Sequence, residues 1–220
     1  MPVNSDSYKT LSAGLAGKNV VLVAVSKTKP PEEILELYNL GQRDFGENYV
    51  AELSAKYEQL PKDIQWHFIG HLQSNKAKYI VPFVALIHGV DSKKLLIEID
   101  KQAKKNGRMV DCLLQVYIAK EETKFGLDEI ELQEILSADL ALYQNIRIRG
   151  LMGMASFTNN TDMVRSEFKF LKSLFDKYST LPFANAQFSL LSMGMSADYN
   201  TAIEEGSNMV RIGSLLFGNR

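Results

Sequence analysis

Eight short strand-like runs, most of them apolar, recur along this chain of 220 residues, and a segment with helical periodicity separates each from the next. The runs are Val20 to Ser26, Arg43 to Asn48, Ile64 to Ile69, Leu86 to Val90, Val110 to Ile118, Ile146 to Met154, Phe188 to Leu191 and Met209 to Ile212. The first is the clearest. Val20 to Val25 are apolar without a polar residue between them, which is the pattern of a strand buried on both faces in a helix-covered parallel sheet. Helices are expected at Ser5–Ala16, Pro31–Leu40, Tyr49–Gln59, Asn75–Val81, Ser92–Asn106, Asp128–Leu136, Thr161–Tyr178 and Tyr199–Glu205. Ser92–Asn106 is the model case: Ser92 caps it, Leu95, Leu96, Ile99 and Ala103 repeat at helical spacing, and Gly107 stops it. Strict strand–helix alternation calls for a parallel sheet. Eight repeats predict a closed (β/α)8 TIM barrel, an α/β fold in which residues 1–220 make one domain. The competing doubly wound sheet needs fewer strands, and no glycine-rich turn follows the first strand to support it.

Composition narrows the partners. Lys and Arg number 25 against 26 Asp and Glu, so the net charge of −1 gives no electrostatic reason to bind nucleic acid or an anionic membrane. No apolar run approaches a membrane span of about 20 residues, and Met1 to Lys18 has no signal-peptide core. The single cysteine, Cys112, excludes an internal disulfide and points to the cytoplasm. It falls in an apolar strand pattern, where a thiol is expected to be buried and inert.

The chemistry collects at strand ends. After Val25 the chain reads Ser-Lys-Thr-Lys-Pro-Pro, so Lys27 stands where a buried strand ends and a helix begins. That edge is where ligands bind in parallel α/β folds, and a partly desolvated amine there attacks carbonyls. Ser192 to Ser196 follows strand seven, and Arg211–Ile212–Gly213–Ser214 spans the end of strand eight. Hydroxyls, glycine and helix-start amides form an anion nest, and the loops after strands seven and eight are the usual phosphate site of this barrel. Strands one and eight are neighbours in a closed barrel. A ligand with an aldehyde at one end and a phosphate at the other would span Lys27 and the nest. Pyridoxal 5′-phosphate fits that description, and so does a sugar phosphate in a cofactor-free Schiff-base aldolase.

These residues carry a resemblance. Ala24 to Pro30, Phe45–Gly46–Glu47–Asn48, Trp66 to Gly70 with Leu72 to Lys76, Gly150 to Met154, Ser192 to Ser196 with Asp198, and Val210 to Ser214 with Phe217–Gly218 together resemble the pyridoxal phosphate homeostasis protein family. The motifs run in order over nearly the whole chain. The resemblance implies a barrel of the alanine racemase N-terminal-domain type and pyridoxal 5′-phosphate as cofactor. It implies that Lys27 forms the internal aldimine, that Ser196, Gly213 and Ser214 hold the phosphate, and that Arg211 faces the pyridine nitrogen. Asn48 and Met154 fall where the family lines the pocket. His67 belongs to the strand-three motif, and its role stays open.

An arginine does not surrender a proton, so a pyridine beside it stays neutral and is a weak electron sink. Racemisation also needs a proton-transfer group on each face, and no second domain follows Gly218 to supply one opposite Lys27. The expected function is therefore to hold pyridoxal phosphate and hand it on, with no catalytic residue assigned and apo pyridoxal-phosphate enzymes as recipients. The alternatives are a racemase-like enzyme and the aldolase. The protein is expected to be a monomer or weak homodimer. His67 and His71 share a helical spacing, but a strand end and Gly70 intervene and no metal is expected. Lys124 is read as an exposed loop cation near the pocket.

Overall fold

Leu22, Val23 and Ala24 are buried on both sides of the strand they form, and this first strand closes a ring. The computed structural model describes residues 3–119, 125–136 and 138–218. Its strands are β1 Val21–Val25, β2 Asp44–Glu47, β3 Gln65–Phe68, β4 Leu86–Val90, β5 Val110–Gln115, β6 Ile146–Met152, β7 Ala186–Ser192 and β8 Met209–Ile212. They pair in sequence order, all parallel, and β8 returns to β1 through Val21 opposite Met209 and Val23 opposite Arg211. The closed eight-strand barrel is the fold expected from the alternation.

The helices are α1 Ser5–Ala16, α2 Pro31–Asn39, α3 Val50–Gln59, α4 Ala77–Ile80, α5 Lys93–Lys105, α6 Glu129–Ile135, α7 Thr161–Ser179, α8 Tyr199–Glu204 and α9 Ser214–Phe217. Local chemistry sets their ends. Ser92 accepts from Leu95 N–H, Asp128 and Glu131 form a reciprocal capping box, and Asn160 caps α7 through Met163 N–H. Two elements were not anticipated: a 3₁₀ turn at Ala138–Leu142, and the short helix α9 directly after β8. Strand seven is longer than expected at both ends and takes in Ser192, which the sequence places in the following loop. Strands five and six stop earlier than expected, at Gln115 and Met152, so Met154 stands in the loop beyond β6.

Alternation sorts the side chains into two cores. Phe45, Trp66, Phe68 and Ile87 point outward and pack under Ile34, Leu37 and Leu53 of α2 and α3 in the main core. Val23, Leu86, Leu113, Met152 and Met209 form a smaller apolar cluster inside the ring. Cys112 is buried in the main core, and burial pushes its thiol up, as an inert cysteine requires. No helix among the described residues is long and apolar enough to cross a membrane.

Candidate functional site

The C-terminal ends of the strands open onto a cavity of about 820 Å³, a size suited to a small-molecule ligand. Lys27, Asn48, Met154, Ser196, Arg211, Gly213 and Ser214 all line it. The seven residues singled out in the sequence come from five different strand ends and meet around one space.

Lys27 sits in a tight turn after β1. The turn closes through Lys29 N–H donating to Ser26 O at 3.0 Å, and Thr28 adopts φ +63°. A β-branched residue is strained there, and such strain persists only where the surroundings impose it. Here a buried charge cluster does so. Lys56 Nζ donates to Ser26 O at 2.8 Å, to Glu47 Oε1 at 2.7 Å and to Glu52 Oε1 at 2.6 Å. Thr28 N–H donates to the same Glu52 oxygen at 2.6 Å, and Ser26 O–H donates to Glu47 Oε1 at 2.6 Å. The turn carrying Lys27 is thus gripped on both sides by α3 and the end of β2. Burial raises the Glu47 carboxyl above its usual range against the pull of Lys56, and Glu47 Oε2 has no hydrogen-bond partner among the described residues. The second lysine of the motif is engaged elsewhere: Lys29 Nζ donates to Phe217 O at 2.7 Å and lies 3.5 Å from Glu33.

Across the cavity, Ser196 Oγ accepts from Gly213 N–H at 3.4 Å, so the loops after β7 and β8 touch. Ser214 and Leu215 open α9, ahead of Leu216, whose N–H is the first to find a carbonyl in the turn, that of Gly213. The first amides of a helix have no intrahelical acceptor. With the Ser196 and Ser214 hydroxyls they form a donor set for an anion. A Cβ on Gly213 would come within 3.3 Å of Val25 O, so glycine lets this cradle lie against the end of β1. Gly70 does the same for Asn48, since a Cβ there would stand 2.4 Å from Asn48 O.

Arg211 is 4% exposed. Its Nη1 donates to Ser192 O at 2.9 Å and to Ser192 Oγ at 2.6 Å, and its Nη2 donates to Gly153 O at 3.1 Å. Burial pulls the guanidinium down to about 10, and Asp198 opposes the fall. It remains charged at neutral pH. A surface ion pair, the commonplace role for such an arginine, does not describe it. Ser192 belongs to this buried contact and not to the anion cradle, because it ends β7 facing the ring interior.

His67 and His71 are not brought together as a pair: His67 Nδ1 lies 2.8 Å from His88 Nε2, whereas His71 lies 2.8 Å from Asp91 and stacks on Phe125. Lys124 falls outside the described residues. The sequence reading missed His88, Glu47, Glu52 and Lys56 as parts of the site's support. Signals existed. His88 interrupts an apolar strand, and Lys56 occupies the apolar stripe of α3 between Leu53 and Leu60.

The donor set fits pyridoxal 5′-phosphate on the structure's own terms: a strand-end amine, hydroxyl and amide donors beside Gly213, and a buried cation lining the same cavity. The barrel and this site define a class, the alanine racemase N-terminal domain, whose family model matches residues 6–220. Within it, the chain belongs to the pyridoxal phosphate homeostasis protein family. It is 44% identical over 209 residues to the pyridoxal phosphate homeostasis protein of Aquifex aeolicus, covering 94% of this chain and 90% of that one. Identity to the Vibrio alginolyticus protein of the same name is 37% over 218 residues, covering 97% and 92%. Among solved structures, PipY of Synechococcus elongatus with pyridoxal phosphate bound superposes with a TM-score of 0.88 at 36% identity, covering 97% of this chain and 99% of that one. Alanine racemase from Bartonella henselae shares the fold at a TM-score of 0.70 and 16% identity, with 95% of this chain covering 56% of the racemase.

Proposed function

We infer that this protein binds pyridoxal 5′-phosphate in the 820 Å³ cavity and holds it for delivery to other proteins without catalysing a reaction of its own. The observation that carries this reading is the convergence of Lys27, Arg211 and the Ser196–Gly213–Ser214 cradle on one space. Lys27 is the residue to which the cofactor attaches. When bound, the cofactor supplies an aldehyde that condenses with primary amines and a ring that withdraws electrons when its nitrogen is protonated. Ser196, Gly213 and Ser214 take the phosphate, Asn48 and Met154 flank the ring, and Arg211 meets the ring nitrogen. Arg211 has only donors and stays charged, so it offers the nitrogen a hydrogen bond without transferring a proton.

Three features favour holding over turnover. Arg211 leaves the ring a weak electron sink. Lys27 provides one proton-transfer group, whereas inversion at carbon needs two opposed groups. The other titratable side chains lining the cavity are occupied: Lys29 with Phe217 and Glu33, and Asp198 with the Met195 N–H at 2.6 Å. Apo pyridoxal-phosphate enzymes are the recipients and the cytoplasm is the compartment, where the buried Cys112 thiol stays reduced. The test pairs two assays on the loaded protein. A panel of amino acids scored for racemisation, decarboxylation and transamination should show only the rate of free pyridoxal phosphate. An apo-enzyme that needs the cofactor should recover activity when offered the loaded protein. Turnover above background that vanishes in Lys27→Ala would assign an enzyme instead.

A further inference from the structure

Below the cavity a row of side chains runs through the ring interior. Arg211 Nη1 donates to Ser192 Oγ at 2.6 Å, and Ser192 Oγ lies 3.1 Å from His88 Nδ1. His88 Nε2 lies 2.8 Å from His67 Nδ1, and His67 Nε2 lies 3.0 Å from Asp44 Oδ1. Ser192, His88, His67 and Arg211 are all buried. Asp44 opens β2 at the opposite end of the barrel, and its side chain is 35% exposed. The row therefore connects the cation of the site to solvent beyond the far rim.

The direction of each bond follows from the ends. Arg211 only donates, and a carboxylate only accepts. His67 must then donate from Nε2 to Asp44, which leaves its Nδ1 as acceptor if the ring is neutral. His88 donates from Nε2 to that Nδ1, and its own Nδ1 accepts the single Ser192 hydroxyl proton. Ser192 Oγ keeps lone pairs for Arg211. Every contact is then one donor meeting one acceptor, with both rings neutral. A second proton on His67 would turn His88 around and leave the Ser192 hydroxyl facing two donors.

The surroundings hold the His88 ring neutral. Burial, followed by His67 and Arg211, keeps His88 well below the usual histidine range. Among the described residues, the charged and titratable groups joined to the row are Asp44 from β2 and Arg211 from β8, besides each ring itself. The inner faces of β1, β5 and β6 contribute Val23, Leu113 and Met152. Asp111 on β5 is taken up by Arg147 and Arg149. Glu47 lies on the other face of β2 with Lys56.

We propose that Asp44, His67, His88 and Ser192 are positioning residues forming a one-way hydrogen-bond wire that fixes the placement and charge of Arg211 from the far end of the barrel. The role of Arg211 toward a pyridine ring rests on the function proposed above; the wire itself is a property of the protein alone. Hydrogen bonds in such rows polarise one another, so a change at Asp44 reaches Arg211 without contact between them.

The test begins with ligand-free protein carrying isotope-labelled histidine, read by ring-nitrogen magnetic resonance between about pH 6 and 8, where an unperturbed histidine changes charge. Both His67 and His88 should show a protonated Nε2 and a bare Nδ1. A proton on Nδ1 of either ring overturns the assigned direction. Asp44→Asn should shift the Nδ1 resonance of His88, which Asp44 does not touch, and an unmoved resonance overturns the wire. Ser192→Ala changes little volume and should also shift it. Loaded with pyridoxal phosphate, Ser192→Ala should move the absorption band relative to the unaltered protein at equal thermal stability, and an identical band breaks the link to Arg211. If the protein fails to bind pyridoxal phosphate, the ligand-free measurements still decide the wire.

Discussion

The two edges of the cavity are built by opposite means. The β1–β2 edge holds the Lys27 turn with charge: buried Glu47 and Lys56 and partly exposed Glu52 close on Ser26 and Thr28 at 2.6–2.8 Å. The β7–β8 edge, proposed as an anion cradle, is built from backbone amides, two hydroxyls and glycine, and it holds Arg211 with neutral acceptors. A strained turn needs a grip that is strong and directional, and charge-assisted bonds supply it. A cradle for an anion needs donors left unspent, and helix-start amides supply them without any side chain that competes for the ligand. Each edge is organised for what it must still offer after folding.

Removing donors from the cradle should have the largest effect on ligand affinity. Charge-assisted bonds contribute roughly 1.5–3 kcal/mol each. Ser196→Ala combined with Ser214→Ala should therefore weaken pyridoxal phosphate binding well beyond tenfold by titration. The unaltered protein should bind pyridoxal, which lacks the phosphate, poorly. Equal affinity for the two ligands would place the phosphate elsewhere.

The charged edge should fail through stability. Lys56→Met strands Glu47 as a buried carboxyl with no cation, and breaking such a pair costs about 3–5 kcal/mol. Denaturant unfolding should show a loss of that order. Glu47→Gln, which removes the charge but keeps acceptor and volume, should lose much less. Similar losses in both would mean that the cluster acts by packing alone.

The smallest expected effect is a pH slope. His88 stays neutral in the folded protein, whereas the unfolded chain takes up its proton near the ordinary histidine value. A group with a depressed folded value contributes stability above the unfolded pKa and loses it as pH falls. Below about pH 6.5 stability should drop by about 1.4 kcal/mol per pH unit from this residue. Unfolding of His88→Asn across that window should lack the contribution. An unchanged slope would mean that His88 charges in place.

The fold was legible because period and punctuation agreed. A valine run without alternation, Ser92 and Gly107 at helix ends, and eight repeats left one architecture. The cavity residues were legible because a barrel gathers strand ends, so position along a strand is already position around the mouth. What the sequence hid lies one layer back. Glu47 and Lys56 are nine residues apart on different elements, and nothing local shows that a lysine in a helical stripe turns inward to a carboxylate. His67 and His88 lie in separate strand patterns, and only the register that sets His67 beside Leu86 brings the rings together. The sequence pattern places Ser192 in a loop, because one residue of strand length decides whether a serine faces solvent or the ring interior.

Lys27, and not Lys29 two residues on, is proposed as the amine this fold presents to an aldehyde. Borohydride reduction of the protein with pyridoxal phosphate, followed by peptide mass mapping, tests it directly. A single label is expected on Lys27, and it should disappear in Lys27→Ala. A label on Lys29, which the structure ties to Phe217 and Glu33, or no label at all would contradict it.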